Sequence, residues 1–417
     1  MITNKEPDET TPLLANEIIK KPHPLLQTFS FGLSSFCTAT YIVVNGKLIS
    51  MLNNNSEDSS AASGIVTPYQ SVIFGAILGI TLSTGLELGQ YITKGHYEIA
   101  GNIEKAGVVL GIFVGLLASA TMVSLRKILP LFFKSTTADI AIDFFTGASI
   151  GNIPMVVLIT DIQISFQEGQ WYIPPLTGIF LVILSASISY SLGFSADQGA
   201  FGIGLGGSIA QIFICLALRA WFLTKPYKKY GLYTLPDKLN FCKNFKKLFS
   251  MGWKLSAQRL TEWANLVLIA TLIGIDSNTE LEAASSLFQY LRLVSTLLQG
   301  VSQGAGMLLS KNRASIASAI QERNLGDAKK SYSDNIRMIL HLNATGLLIV
   351  GFLNLLFYFL QKPLAKFFLT GDADASQIEF SETLLWIGML GLLPDSLRLI
   401  TIGILRGWHD LLYPMLV

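Results

Sequence analysis

Runs of about 20 apolar residues, each long enough to cross a hydrocarbon core of roughly 30 Å as a helix, recur along the whole sequence. They fall near 26–51, 65–91, 106–123, 139–162, 173–194 and 199–223, and after a break near 250–274, 281–308, 336–360 and 379–405. A backbone in hydrocarbon must satisfy its own polar groups, so runs of this length predict packed transmembrane helices. Composition agrees: 51% of the residues are hydrophobic and 14% are charged, where soluble proteins carry about 25% charged residues. The expected fold is an all-α polytopic membrane protein with about ten transmembrane helices, six before and four after the break.

Residues 1–25 read as a polar tail with no apolar core of a removable signal. Residues 26–223 form the first bundle, and 224–249 a solvated, basic cytoplasmic linker that acts as a hinge, with seven Lys against one Asp over 225–247. The second bundle occupies 250–417. With the N-terminus in the cytoplasm, 18 Lys and Arg fall on that side and six, including Arg126, Lys127 and Lys134, on the other, the bias expected of cytoplasmic loops. The chain is expected to act as a monomer in a lipid bilayer.

Several functions are excluded by pattern. Cys37, Cys215 and Cys242 lack metal-ligand or CxxC spacing, the four His are scattered, and neither a Ser-His-Asp set nor a phosphate loop appears. An enzyme, a resident metal or cofactor, and a nucleic-acid partner are therefore not expected. Gly202, Gly204, Gly206 and Gly207 open an apolar span with no preceding strand, so they read as close helix packing.

The two bundles repeat one another. The connections 94–106 and 322–335 each precede a fresh apolar run, ILPLFF (128–133) parallels KPLAKFF (362–368), and FQEGQWYIPP (166–175) parallels LRGWHDLLYP (405–414). Internal duplication of this kind is common in transporters.

Four segments then resemble, in order, the multidrug and toxic compound extrusion (MATE) exporters: GQYITKGHYEIAG (89–101), GAFGIGLGGSIAQ (199–211), TEWANLVLIATLIG (261–274) and PDSLRLITIGILRGWHDLLYPML (394–416). The resemblance spans about 25–417. It implies a two-lobe, twelve-helix fold of which ten helices are present and the last hairpin of the C-lobe is absent. It also implies a secondary antiporter exporting small amphiphilic or cationic compounds in exchange for Na+ or H+. Rival expectations are a lipid or oligosaccharide flippase of the same superfamily, and a transport-inactive relative that works through partners.

Charges inside apolar runs cost about 2.5–3.5 kcal/mol on insertion scales and mark function or pairing. Glu262 and Asp395 occupy the positions at which the resembling C-lobe (NorM-like and eukaryotic-like) branch binds its coupling cation, so that role is implied for them. Arg259 stands three residues before Glu262 and Arg398 three after Asp395, so plain ion pairs are the competing reading. Arg292 lies mid-span, while Trp263, Gln289 and Tyr290 are candidates to line a substrate cavity. The acids of the resembling N-lobe site have no counterpart in 37–46 or 184–191, and Glu87, Asp143 and Asp161 read as helix-end or interfacial charges. Pro154 and Pro394 are expected to kink their spans.

Glu9, Leu13 and Leu14 form an acidic dileucine pattern that resembles adaptor-binding sorting signals. It points to an endosomal, lysosomal or vacuolar membrane as the alternative to a bacterial inner membrane or a plasma membrane. Asn54-Asn55-Ser56 is a glycosylation sequon in a predicted external loop.

Overall fold

The computed structural model describes residues 23–52, 57–234, 238–321, 323, 325–369 and 375–408; the dileucine residues Glu9, Leu13 and Leu14 and the sequon lie outside them. Among these residues the secondary structure is helical throughout: α1 (Pro24–Ser50), α2 (Glu57–Thr93), α3 (Tyr97–Ile128), α4 (Ser135–Ser149), α5 (Asn152–Gln167), α6 (Ile173–Tyr190), α7 (Gly199–Trp221), α8 (Lys225–Lys228), α9 (Lys238–Asp276), α10 (Asn278–Gln321), α11 (Leu325–Phe368) and α12 (Ala375–Gly407). Six of them, α2, α3, α6, α7, α11 and α12, are long and apolar enough to cross a membrane, and the pair α4–α5, bent by 53°, makes a seventh. Their outer faces carry large apolar side chains such as Phe113, Leu117, Phe213, Leu216, Phe352 and Phe359, all exposed. The polypeptide is a multi-pass membrane protein whose lipid-facing surface is apolar.

Each expected span has a helix. The one expected over 139–162 breaks at Ile150–Gly151, and Pro154 sits in the first turn of α5, where its missing N–H removes no helical bond. Pro394 lies inside α12. The helices α9, α10 and α11 run well beyond their apolar stretches.

In the N-terminal half, α1 packs on α6, α4 on α7 and α3 on α5; in the C-terminal half, α10 packs on both α11 and α12. The halves meet where α2 lies along α9 and α10 and α1 along α10. One core of buried residues runs through α1–α10, and a second, built on Tyr290, Val294, Leu298 and Leu385, joins α10 to α12. The glycines of α7 are contact points as expected: a side-chain carbon on Gly204 would stand 2.3 Å from the Phe144 carbonyl oxygen.

The connection after α7 is not the free, solvated hinge that its lysines suggest. Tyr227 and Tyr230 are both 1% exposed, Tyr227 stacks on Phe222 at 4.3 Å, and Tyr230 donates to Glu168. Lys229 pairs with Glu168 at 2.6 Å. Burial pushes the Tyr227 hydroxyl up to about 12. Aromatic residues pin the described part of the segment to the N-terminal half.

Candidate functional site

The site is built from three helices of the C-terminal half. Gln258, Arg259, Glu262 and Trp263 come from α9, Arg292 from α10, and Asp395, Arg398 and Arg406 from α12. At 1.5 Å per residue, Glu262 lies about 21 Å from the Asp276 end of α9 and Asp395 about 18 Å from the Gly407 end of α12, both near mid-span.

Small residues set the helix spacing. A side-chain carbon at Gly79 of α2 would stand 2.5 Å from Ser256 Cα, so only glycine lets α9 lie this close. Ser256 Oγ then donates to the Ala76 carbonyl at 2.7 Å. Across the site, Ser302 and Gly306 of α10 face Gly403 and Gly407 of α12, small residues spaced four apart on both helices. Ser302 Oγ donates to the Leu399 carbonyl at 2.6 Å.

The charged groups form one network. Glu262 Oε2 accepts from Arg259 Nη1 at 2.9 Å and Oε1 from Gln258 Nε2 at 3.3 Å. Glu262 Oε1 also faces Arg398 Nη1 at 3.7 Å and Arg406 Nη2 at 4.0 Å. Arg398 donates to Asp395 Oδ1 from Nε and Nη2, each at 2.7 Å, and Arg406 Nη2 donates to Gln258 Oε1 at 2.6 Å. Arg292 forms no ion pair with a described carboxylate; its guanidinium lies 4.7 Å from the Trp263 ring centre and 5.3 Å from that of Phe74. Three guanidiniums thus meet two carboxylates, and a fourth lies beside them on the Trp263 ring.

Burial grades the network. Arg259, Arg292 and Arg406 are each 1% exposed, whereas the side chains of Asp395 and Arg398 are 29% and 35% exposed. The exposed pair stands at a cavity of about 350 Å³ that Glu262, Trp263, Leu291, Gln299 and Leu392 also line.

Of the residues picked out from sequence, Glu262, Asp395, Arg259, Arg398, Arg292 and Trp263 come together here. Tyr290 does not line this cavity: it is fully buried, donates to Asn354 Oδ1 at 2.7 Å and packs on Phe357. Gln289 reaches instead to Ser63 of α2, at 3.3 Å. Both hold helices together. Arg406 and Gln258 are additions that the sequence did not single out. Arg406 follows Asp395 by eleven residues, about three turns, which returns it to nearly the same face.

In the N-terminal half, Asp161 is one member of a paired cluster. It is fully buried on α5, 2.8 Å from Arg219 of α7, which also pairs with the buried Glu104 of α3 at 2.8 Å. Glu87 is buried as well and holds Lys247 at 2.5 Å. Asp143 remains exposed.

Neither a protein-family model nor a curated protein matches the sequence. Solved structures do. The eukaryotic MATE transporter AtDTX14 superposes with a TM-score of 0.74 at 14% identity, over 93% of this chain and 83% of that one. A MOP superfamily transporter from Pyrococcus furiosus, described as having a binding pocket of reverse polarity that suggests a different function, gives 0.72 at 17% identity over 95% and 85%. A multidrug resistance MATE family transporter of the MOP superfamily scores 0.71 in an outward-facing conformation, at 16% identity over 95% and 85%. An inward-facing one scores 0.61 at 15% identity over 96% and 84%. At these identities the likeness is one of fold: the chain is a multi-pass helical membrane protein with the architecture of the MATE and MOP transporters.

Proposed function

We propose that the protein is a secondary transporter of a small amphiphilic solute, with Glu262 and Asp395 at the site where Na+ or H+ is coupled to it. The observation that carries this reading is a buried charged network facing a cavity between α9, α10 and α12, inside a fold shared with transporters. Arg398 is the moving part. It joins Asp395 on its own helix to Glu262 on α9. A cation or proton that neutralises either acid weakens that bridge and shifts the balance between states in which α9 and α12 are joined or separate. The arginines leave the acids only partly available, so coupling works by competition with Arg398 and not at a bare carboxylate pair.

Solute flux in proteoliposomes under imposed Na+ and H+ gradients tests the reading. Gradient-dependent flux abolished in Glu262→Gln and Asp395→Asn is the expected result. Flux that persists unchanged in both variants would remove the acids from coupling, and no flux for any amphiphile would favour the partner-protein alternative.

A further inference from the structure

The wall of the C-terminal cavity carries Glu262, Asp395 and Arg398, and three further arginines stand behind it, so the network as a whole leans positive. Arg259, Arg398 and Arg406 face only Glu262 and Asp395 among the described carboxylates, and Arg292 stands over Trp263 with no described acid of its own, so the four carry a formal excess of two positive charges. They act on one another: Arg292 and Arg406 both lie within electrostatic reach of Arg259, and Arg398 within reach of Arg406. Buried donors ordinarily find acceptors, yet Nε and Nη2 of Arg259, Nε and Nη2 of Arg292, and Nε and Nη1 of Arg406 have none. Each of these side chains is 1% exposed, so solvent does not replace the missing partners.

We propose that the cavity takes an amphiphilic oxyanion, a carboxylate-bearing compound with an aromatic or aliphatic body. This deepens the transport reading by assigning the sign of the solute's charge. The head group meets the terminal Nη1–Nη2 edge of Arg398 at the cavity wall, the side of the fork that Asp395, held from Nε and Nη2, does not take, and a donor geometry that matches a carboxylate edge. Arg259 and Arg406, behind Glu262, add an attractive field in surroundings of low dielectric. The body lies on Trp263, Leu266, Leu291 and Leu392, which form the apolar wall. Glu262 is then an internal anion that already meets three of the guanidiniums, and it opposes the incoming head group. A cation that neutralises Glu262 helps such a solute to bind, whereas it would compete with a cationic one.

Binding to the purified full chain in lipid nanodiscs tests this without any flux measurement. The probes are 1-naphthaleneacetate and 1-naphthylmethylammonium, matched in body and opposite in charge. The acid is expected to bind at least about tenfold more tightly than the ammonium, and less tightly as salt rises. Glu262→Gln is expected to tighten the acid and Arg398→Gln to weaken it about tenfold. Arg398→Lys keeps the charge without the fork, and an intermediate affinity supports the head-group contact if the Gln variant does not fold. Ammonium binding as tight as the acid's, weaker acid binding in Glu262→Gln, or no acid binding at about 1 mM would overturn the proposal. Acid binding without flux removes the transport reading and leaves this one; flux of the ammonium does the reverse.

Discussion

Arg292 and Arg219 bring the same guanidinium into helix packing, and their neighbours treat it in opposite ways. Arg219 serves two buried acids, Glu104 and Asp161, at 2.8 Å each. Arg292 has two aromatic faces and no acid in its ion-pair shell among the described residues. Removing one partner of a buried pair strands the other charge, so Arg219→Met is expected to lower unfolding stability by about 3–5 kcal/mol. Arg292→Met removes an uncompensated charge at the loss of a cation–π contact of up to about 2 kcal/mol. It is expected to leave stability level or higher while acid binding falls, as thermal unfolding with and without 1-naphthaleneacetate would show. The pairs Arg259–Glu262 and Asp395–Arg398 were legible in the sequence because partners three apart share a helix face. Arg406 and the Glu104–Asp161–Arg219 cluster were not, since their contacts join helices that no local period relates.

For whole helices, glycine decides which element lies against which. Gly79→Leu would force α9 off α2 and carry Arg259 and Glu262 with it, so a large fall in melting temperature and loss of acid binding are expected together. Gly351→Ala on α11, where a side-chain carbon meets nothing within 4 Å, is expected to stabilise by about 0.5–1 kcal/mol through reduced unfolded-state freedom. Hydropathy marked a helix at each expected span. It fell short where helices run on past the apolar stretch: α9 starts at Lys238, not near 250, and α10 continues to Gln321, not 308. Those extensions are amphipathic, and a test for apolar runs passes over them. The Tyr227–Tyr230 anchor was hidden for a similar reason, because seven lysines outweigh its aromatic residues in any average.

Across the molecule, the halves are tied at both ends of the bundle. Tyr69 Oη and Thr271 Oγ1 are 3.0 Å apart toward one end, and Lys247 and Glu87 pair at 2.5 Å toward the other. Alternating access requires each end to part in turn. Cysteine pairs at 69 and 271, or at 87 and 247, in a Cys242→Ser background, are expected to block flux when oxidised and restore it on reduction. Flux that continues through either crosslink would contradict a rocking motion of the halves. The lean of the C-terminal cavity toward guanidinium carries a consequence for energy supply. A cytoplasm held 100 mV negative expels each unit of negative charge with about 2.3 kcal/mol of electrical work. If the cargo is an anion, its outward transport draws on this voltage in addition to the gradient of the coupling ion.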